Sequence, residues 1–323
     1  MYLGIEIGGT KLQLGVGDGA NDELVEIVRQ EIDAQAGAQV ILDQIETSAK
    51  ALLARHSIER VGIGFGGPVN SGNGVVTKSH QVVGWDAFPL AAWCREKIGL
   101  SAVIGNDCDV AALAEARLGA GRGLSSVFYV TVGTGIGGGL VLHGKLYGGG
   151  RPAVAEIGHL RPGLDAYNAK QTVEGIASGP AIAEAGRALL RGRPNKNDTD
   201  VVDLLRRCGD DPERLTTMML AAAAAKGNTI ADDILRHACR ALGWAIAQVI
   251  TLIAPEIVVI GGGVSLMGDA LFFAPLREEV AEYVFPPLQY SYRIVPAALG
   301  ELAVVYGAIA LAADAGPRDS AKS

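Results

Sequence analysis

The chain contains 323 residues, of which 49% are hydrophobic and 20% charged, a balance that predicts a globular protein with two domains or one large lobed domain and excludes extended disorder. Asp and Glu number 35 against 28 Lys and Arg, and the resulting net charge of −7 disfavours a nucleic-acid-binding surface. Glycine, with 44 residues, is close to twice its usual share of about 7%. These glycines form short clusters beside apolar runs, a pattern typical of binding loops built from backbone groups.

Cysteine spacing and hydropathy predict a cytoplasmic, reduced protein. The four cysteines lie far apart without a CxxC pair, so neither a disulfide framework nor a zinc ribbon is indicated. The first residues lack the basic region of a signal peptide. The longest apolar stretch, 241–254, is shorter than the roughly 18 residues that a membrane span needs.

The first predicted element is a β-hairpin. Apolar residues alternate over 3–7 and again over 12–16, and the turn Gly8–Gly9–Thr10–Lys11 lies between them. The same design recurs at 127–142, where the glycine-rich run 133–139 separates two apolar segments. Two such units predict an internally duplicated, two-lobed protein.

The remaining pattern interleaves strands with helices and therefore predicts an α/β architecture. Strands are expected at 60–65, 101–105 and 256–260, and helices at 38–56, 88–98, 109–118, 178–190, 230–253 and 301–313. The strongly charged segment 191–216 is expected to be a peripheral helical insertion.

Three glycine clusters are candidates for phosphate binding. The turn 8–11 offers backbone N–H groups that could surround an anion, and the run 133–139 repeats its design. Gly261–Gly263 follows a predicted strand and leads towards a helix, where adenosine could lie. A tight structural turn is the alternative for each cluster alone. Neither a Rossmann fingerprint nor a P-loop is present in the required context, but three clusters in one acidic chain favour a nucleotide phosphate.

Two polar groups could bind and activate a substrate hydroxyl. Asn106 and Asp107 follow a predicted strand, where α/β proteins gather their sites; Asp107 could be a general base, or the pair could simply cap a helix. Glu156, His159 and Glu174 could grip vicinal sugar hydroxyls through charge-assisted hydrogen bonds. Metal ligation or a purely structural loop network are the alternatives for this second group.

An ordered set of motifs resembles the ROK family of bacterial sugar kinases and sugar-responsive repressors, within the actin-like ATPase superfamily. The motifs are IEIGGTK at 5–11, GFGGPVN at 64–70, GNDCDVAALAE at 105–115, VTVGTGIGGGLVLHGKLYGG at 130–149, AEIGHL at 155–160, VEGIASGPAI at 173–182 and IVVIGGGVS at 257–265. The resemblance implies a two-lobed ribonuclease-H-like fold with an interlobe cleft, and ATP-dependent phosphorylation of a hexose hydroxyl. It also implies an N-terminal lobe at 1–107 completed by a helix at 301–315, a C-terminal lobe at 108–300 and a flexible tail at 316–323.

The resemblance assigns roles to individual residues. Asp107 matches the catalytic base, and the sugar ligands are matched by Gly67, His80, Asn106, Glu156, His159 and Glu174, with His80 the weakest match. The ATP-binding positions are Gly8, Gly9, Thr10, Lys11, Gly133, Thr134, Gly135, Gly137, Gly261, Gly262 and Gly263.

Three features depart from the family pattern. Glu6 stands where relatives usually have an aspartate that helps to hold Mg²⁺, directly or through water, and one extra methylene moves the carboxylate by roughly 1.5 Å, a shift that can matter for catalysis. The cysteine-rich zinc loop after His159 is replaced by RPGLDAYNAKQTVEG, so zinc is expected to be absent. The hairpin starts at residue 2, so the helix-turn-helix of the family's repressors is not expected.

The combined prediction is an ATP- and Mg²⁺-dependent kinase acting on the 6-hydroxyl of a hexose, with glucose chosen on family frequency alone. An N-acetylglucosamine or N-acetylmannosamine kinase, or a sugar-binding regulator without turnover, is the alternative. No nucleic-acid or membrane partner is expected, and the resemblance implies a homodimer.

Overall fold

The structure, a computed structural model, describes residues 1–79, 82–148, 151, 153–164, 166–168, 171–192, 195 and 197–316. Twelve strands lie in this part of the chain: β1 Tyr2–Ile7, β2 Lys11–Gly17, β3 Glu26–Glu31, β4 Arg60–Phe65, β5 Val69–Asn70, β6 Val75–Val76, β7 Ala102–Asn106, β8 Ser126–Val132, β9 Ile136–Leu142, β10 Lys145–Leu146, β11 Ile257–Gly261 and β12 Arg293–Pro296. They form two five-stranded sheets, of order β3-β2-β1-β4-β7 and β10-β9-β8-β11-β12, and the small pair β5-β6.

Ten α-helices occupy the same described residues: α1 Ala38–Leu53, α2 Leu90–Lys97, α3 Asp107–Arg117, α4 Val173–Ala177, α5 Gly179–Arg191, α6 Thr199–Cys208, α7 Thr217–Ala224, α8 Thr229–Ile253, α9 Ala274–Tyr283 and α10 Ala303–Asp314. Short 3-10 turns occur as well, among them Ile157–His159 and Gly263–Met267. No described helix combines the length and the apolar character that crossing a membrane requires. The predicted α/β class is therefore confirmed.

The chain divides into two compact units. The first contains residues 1–129, 139–154 and 297–323, and the second contains 130–138 and 155–296. The first unit holds the first sheet, whose core is a cluster of apolar side chains that includes Leu3, Ile5, Ile63 and Trp85. The lobe boundary at residue 107 and the flexible tail stay predictions.

Glycine lets the last helix approach the first sheet closely. A Cβ on Gly62 would lie 1.8 Å from the carbonyl oxygen of Ala308, and one on Gly4 would lie 2.5 Å from that of Val305. No side chain fits at either position. Helix α10 is therefore seated directly on the face of the sheet that also carries Glu6, two residues along β1 from Gly4.

The strand and helix pattern differs from the sequence-based prediction mainly in the second glycine run. Strand β9 begins at Ile136, so Gly137 and the next two glycines are strand residues and only 133–135 form the turn. A glycine run was interpreted as a turn because glycine disfavours strands, but pairing within a buried sheet overrides that preference. The sequence-based prediction lacks β3, β12 and the two-residue strands β5, β6 and β10.

Candidate functional site

The first glycine turn closes the hairpin of β1 and β2. Ile7 pairs with Leu12 across the antiparallel strands, and the N–H of Gly8 donates to the carbonyl of Lys11 at 3.0 Å. The N–H of Gly66, just after β4, donates to the carbonyl of Ile7 at 2.8 Å. These bonds bring the ends of three chain segments, β1, β2 and β4, to the same place.

Asp107 lies beside this turn. A Cβ built on Gly66 would be 3.5 Å from the Cα of Gly8 and 3.6 Å from Oδ2 of Asp107, so the carboxylate and the glycine turn share one small neighbourhood. Asp107 is the first residue of α3 and is half-buried, and its Oδ1 accepts the N–H of Cys108 at 2.9 Å. Burial raises the pKa of Asp107, and the hydrogen bonds from Cys108 oppose that rise.

Asn106 combines the capping role with a link to Gly67. As the N-cap of α3 its Oδ1 accepts the N–H of Cys108 at 2.9 Å, and its Nδ2 donates to the carbonyl of Gly67 at 3.0 Å. The alternative interpretation, that the polar pair caps a helix, is therefore correct for Asn106, and it does not conflict with a site. The cap fixes the start of α3, and the second bond ties the Gly66–Gly67 turn to it.

Glu6 is a buried carboxylate with a donor for each oxygen. It is only 6% exposed; Oε1 lies 3.1 Å from Nζ of Lys11 and Oε2 accepts Nε2 of Gln13 at 3.0 Å. Burial raises the pKa of Glu6, the positive charge of Lys11 lowers it, and the negative charge of Asp107 adds to the rise. The two carboxylates are therefore close enough for the charge of Asp107 to raise the pKa of Glu6.

The second unit holds the turn 133–135 together with Glu174. The N–H of Gly133 donates to the carbonyl of Gly135 at 2.9 Å, and Oε2 of Glu174 accepts the N–H of Ile136 at 2.8 Å. Glu174 belongs to α4, which begins after the N-cap Thr172. The carboxylate therefore lies directly against the turn that was predicted to bind phosphate.

Glu156 precedes and His159 ends a 3-10 turn that is packed on the same strand end. A Cβ on Gly158 would lie 2.0 Å from the carbonyl oxygen of Ile136, which leaves room only for glycine. Glu156 and His159 themselves are exposed. The two peptide groups of Ile136 thus organise both parts of the predicted sugar-binding set, since its N–H binds Glu174 and its C=O contacts Gly158.

The third glycine cluster lies beside the second. Gly262 has a φ of +88°, and a Cβ there would be 2.5 Å from the carbonyl oxygen of Val132. A Cβ on Gly133 would be 3.9 Å from the N of Gly263, and the N–H of Gly179, at the start of α5, donates to the carbonyl of Gly133 at 2.8 Å. Backbone groups of two glycine clusters and a helix start are therefore assembled in the second unit.

His80 lies outside the described residues. Among those that are described, no group of three or more His, Cys, Asp or Glu side chains is placed to hold a metal ion, and the expected absence of zinc stays a prediction.

Sequence reasoning missed Gln13, which is 2% exposed and bonds to Glu6. The alternation of Leu12, Leu14 and Val16 already placed Gln13 on the other face of β2. The hairpin register, in which Glu6 faces Gln13, could then have paired the two residues.

The chain has the fold of sugar kinases of known structure. The described chain superimposes on a ROK glucokinase from Streptomyces griseus, solved with glucose and AMPPNP, with a TM-score of 0.80, 28% identity and coverage of 97% of this chain and 99% of that one. A protein proposed to be an N-acetylmannosamine kinase, from Listeria monocytogenes, matches with a TM-score of 0.75, 26% identity and coverage of 95% and 97%. The fold is that of the actin-like ATPases.

The family follows from the sequence. The model of the ROK family matches residues 2–315, and a glucokinase from Thermotoga maritima is 31% identical over 309 residues, which cover 96% of each chain. The protein belongs to the ROK family.

Proposed function

We propose that this ROK protein is an ATP-dependent hexose kinase that phosphorylates the 6-hydroxyl of glucose, with Asp107 as general base. Relatives that are glucokinases over nearly the full length support the sugar kinase class and the use of ATP. The observation that carries the mechanism is that the Asp107 carboxylate and Gly8 of the first turn both lie next to Gly66.

The sugar would be bound by side chains and by one backbone group, that of Gly67. Glu156, His159 and Glu174 would accept and donate hydrogen bonds to ring hydroxyls, and charged acceptors make such bonds strong. Asn106, already fixed by its two hydrogen bonds, would orient the reacting hydroxyl. Asp107 would take the proton of that hydroxyl as its oxygen attacks the γ-phosphorus of ATP, since a carboxylate can act as base when held within hydrogen-bond reach.

The nucleotide would be bound largely by backbone. N–H groups of the turns 8–11 and 133–135 would contact the phosphates, and Gly261–Gly263 would lie at the adenosine. Fixed backbone dipoles of this kind stabilise the charge that develops on a transferred phosphoryl group without reorganising during the reaction.

Glu6 fits the requirements of Mg²⁺. The ion prefers oxygen ligands, keeps several waters and is commonly held by one or two carboxylates together with the substrate phosphates. Glu6 offers a carboxylate two residues before Gly8, where the first glycine turn begins. When bound, Mg²⁺ neutralises phosphate charge in phosphoryl transfer. Glu6 would hold it, directly or through water.

The test is ADP release with Mg·ATP over a panel of hexoses and N-acetylhexosamines, with Asp107→Asn as the control. Rapid turnover on glucose that the variant loses is the expected result. Turnover confined to N-acetylmannosamine or N-acetylglucosamine would instead select the alternative that the Listeria relative favours. Sugar binding without turnover on any member of the panel would contradict the proposal.

A further inference from the structure

One face of the first sheet carries a row of polar side chains that crosses three strands. Glu6 on β1 is the register partner of Gln13 on β2, and Gln13 is the register partner of Arg29 on β3. Nε2 of Gln13 donates to Oε2 of Glu6 at 3.0 Å, and Nε of Arg29 donates to Oε1 of Gln13 at 3.3 Å. The amide of Gln13 therefore connects a guanidinium to a carboxylate.

Both the nitrogen and the oxygen of the Gln13 amide form hydrogen bonds. Nε2 of Gln13 also donates to the carbonyl of Glu301, just before α10, at 3.3 Å. With two acceptors on the nitrogen and a cationic donor on the oxygen, the amide cannot rotate by half a turn without losing all three bonds. Gln13 is 2% exposed, so water has little access to replace them.

The other donor to Glu6 is of a different kind. Nζ of Lys11 lies 3.1 Å from Oε1, but the Lys11 side chain is 41% exposed and has a flexible four-carbon stem. On the opposite side of β1 the register partner of Glu6 is Gly64, which has no side chain to offer. Glu6 is thus held at Oε2 by a buried amide with three hydrogen bonds, and at Oε1 by a partly exposed side chain with a flexible stem.

We infer that Gln13 is a positioning residue that fixes the Glu6 carboxylate so that Oε1 is presented towards the metal-nucleotide. The inference rests on the proposed function. A glutamate has one more rotatable bond than an aspartate, and a longer side chain loses more rotamer freedom when it is fixed. The bond to Gln13 fixes the side chain in the absence of nucleotide. Glu6 would then hold Mg²⁺ through Oε1, and Lys11, on its flexible stem, would be available to a phosphate.

A purely structural role for Gln13 makes a different prediction. If the amide only satisfies buried polar groups, its loss lowers stability and leaves the contribution of the metal to nucleotide affinity unchanged. If it positions Glu6, its loss removes part of that contribution. Residues that orient a metal ligand typically account for 10- to 100-fold in metal affinity.

The experiment is calorimetric titration of the folded protein with AMPPNP, once with Mg²⁺ and once with a chelator. The variant is Gln13→Leu, and the matched control is Gln30→Leu, the same change on the same sheet at an amide whose Oε1 is buried without a hydrogen-bond partner. We expect Gln13→Leu to bind metal-free AMPPNP like the wild type and to lose about tenfold in affinity for Mg·AMPPNP. Gln30→Leu should keep both affinities.

A double-mutant cycle with Glu6→Asp completes the test. The shorter carboxylate cannot reach Gln13, so Gln13→Leu should cost little further Mg²⁺-dependent affinity in the Glu6→Asp background; neighbouring residues that act together are non-additive in this way. Additive effects, or equal losses with and without Mg²⁺, would overturn the inference. If Gln13→Leu does not fold, Gln13→Asn, which is too short to reach Oε2, is read by the same criteria.

Failure of this inference can be told from failure of the proposed function. A wild-type protein that phosphorylates a sugar and binds Mg·AMPPNP, with a Gln13→Leu variant equal to it in both titrations, contradicts only the role of Gln13. A wild-type protein that neither releases ADP with any sugar nor binds Mg·AMPPNP contradicts the kinase proposal itself, and the positioning role with it.

Discussion

The carboxylate of Glu174 accepts a hydrogen bond from the backbone N–H of Ile136 at 2.8 Å. This bond joins a side chain predicted to bind sugar to the end of the turn predicted to bind phosphate. A Cβ on Gly135 would lie only 2.7 Å from the same oxygen, so the close approach depends on glycine. One carboxylate therefore connects the groups that are predicted to bind two different substrates.

Glu174→Gln should separate sugar binding from the structure of the turn. The amide oxygen can still accept from Ile136, so the melting temperature should stay near that of the wild type. The charge is lost, and a hydrogen bond to a charged group is worth about 1.5–3 kcal/mol against about 1 kcal/mol for a neutral one. KM for the sugar should therefore rise by roughly 2- to 30-fold. Steady-state kinetics and thermal melting test this, and an unchanged KM would argue that Glu174 only supports the turn.

Asp107→Asn should abolish turnover and stabilise the protein at neutral pH. Because burial raises the pKa of Asp107, the native state retains a proton that the unfolded state loses between the two pKa values. Stability contributed by this group therefore falls as pH rises through that window. The neutral asparagine avoids the cost.

Urea unfolding at several pH values measures the effect. The free energy of unfolding of the variant should exceed that of the wild type at neutral pH, and the difference should shrink as the pH is lowered towards the ordinary range of an aspartate. A variant that is less stable than the wild type at neutral pH would show that the charge of Asp107 at the start of α3 is favourable overall, as helix N-termini can make it.

The elements that sequence predicted well are those whose side chains repeat with a clear period. Alternation fixed β1, β2 and β4, and strand β4 occupies the predicted residues 60–65. Strand β3, Glu26–Glu31, escaped because half of its residues are exposed or charged. As an edge strand of the sheet it needs little apolar character. Its position is determined by pairing with the adjacent strand β2 and not by its own hydrophobic pattern.

The candidate site was predictable as a set of residues but not as an arrangement. The ordered motifs pointed to Asp107 and Glu174, whereas the proximity of Asp107 to Gly66 arises from how β4 and β7 pair. Pairing of distant strands cannot be read from local periodicity. Gln13 is intermediate, since the short hairpin alone sets its position opposite Glu6.

Asn106→Asp should keep the helix cap and disturb the site. Aspartate caps helices as well as asparagine does, so the bond to Cys108 and the stability of α3 should persist. The new carboxylate cannot donate to the carbonyl of Gly67, and its charge next to Asp107 should raise the pKa of that residue further, since like charges disfavour ionisation.

Two kinetic readouts are expected for this variant. KM for the sugar should increase because the Gly66–Gly67 turn loses its tie, and the acidic limb of kcat/KM against pH should move to higher pH because the base must be ionised to act. Asn106→Ala is the comparison: it should lose stability, by about 1 kcal/mol for the missing cap, without moving the acidic limb upwards in the same way.

Gly158→Ala should be among the most damaging small substitutions in the second unit. The added Cβ would lie 2.0 Å from the carbonyl oxygen of Ile136, a backbone atom that cannot move without disturbing the bond from Ile136 to Glu174. Overpacking of this kind typically costs about 1–3 kcal/mol, and displacement of Glu156 and His159 should lower sugar affinity as well.

Gly192→Ala, after α5, is the matched control, because its Cβ would have neighbours no closer than 3.4 Å and its φ of −70° suits alanine. Denaturant unfolding and sugar titration of both variants should show loss in the first and an unchanged or slightly more stable protein in the second; equal behaviour of the two would mean that the 3-10 turn can shift away from β9 without consequence.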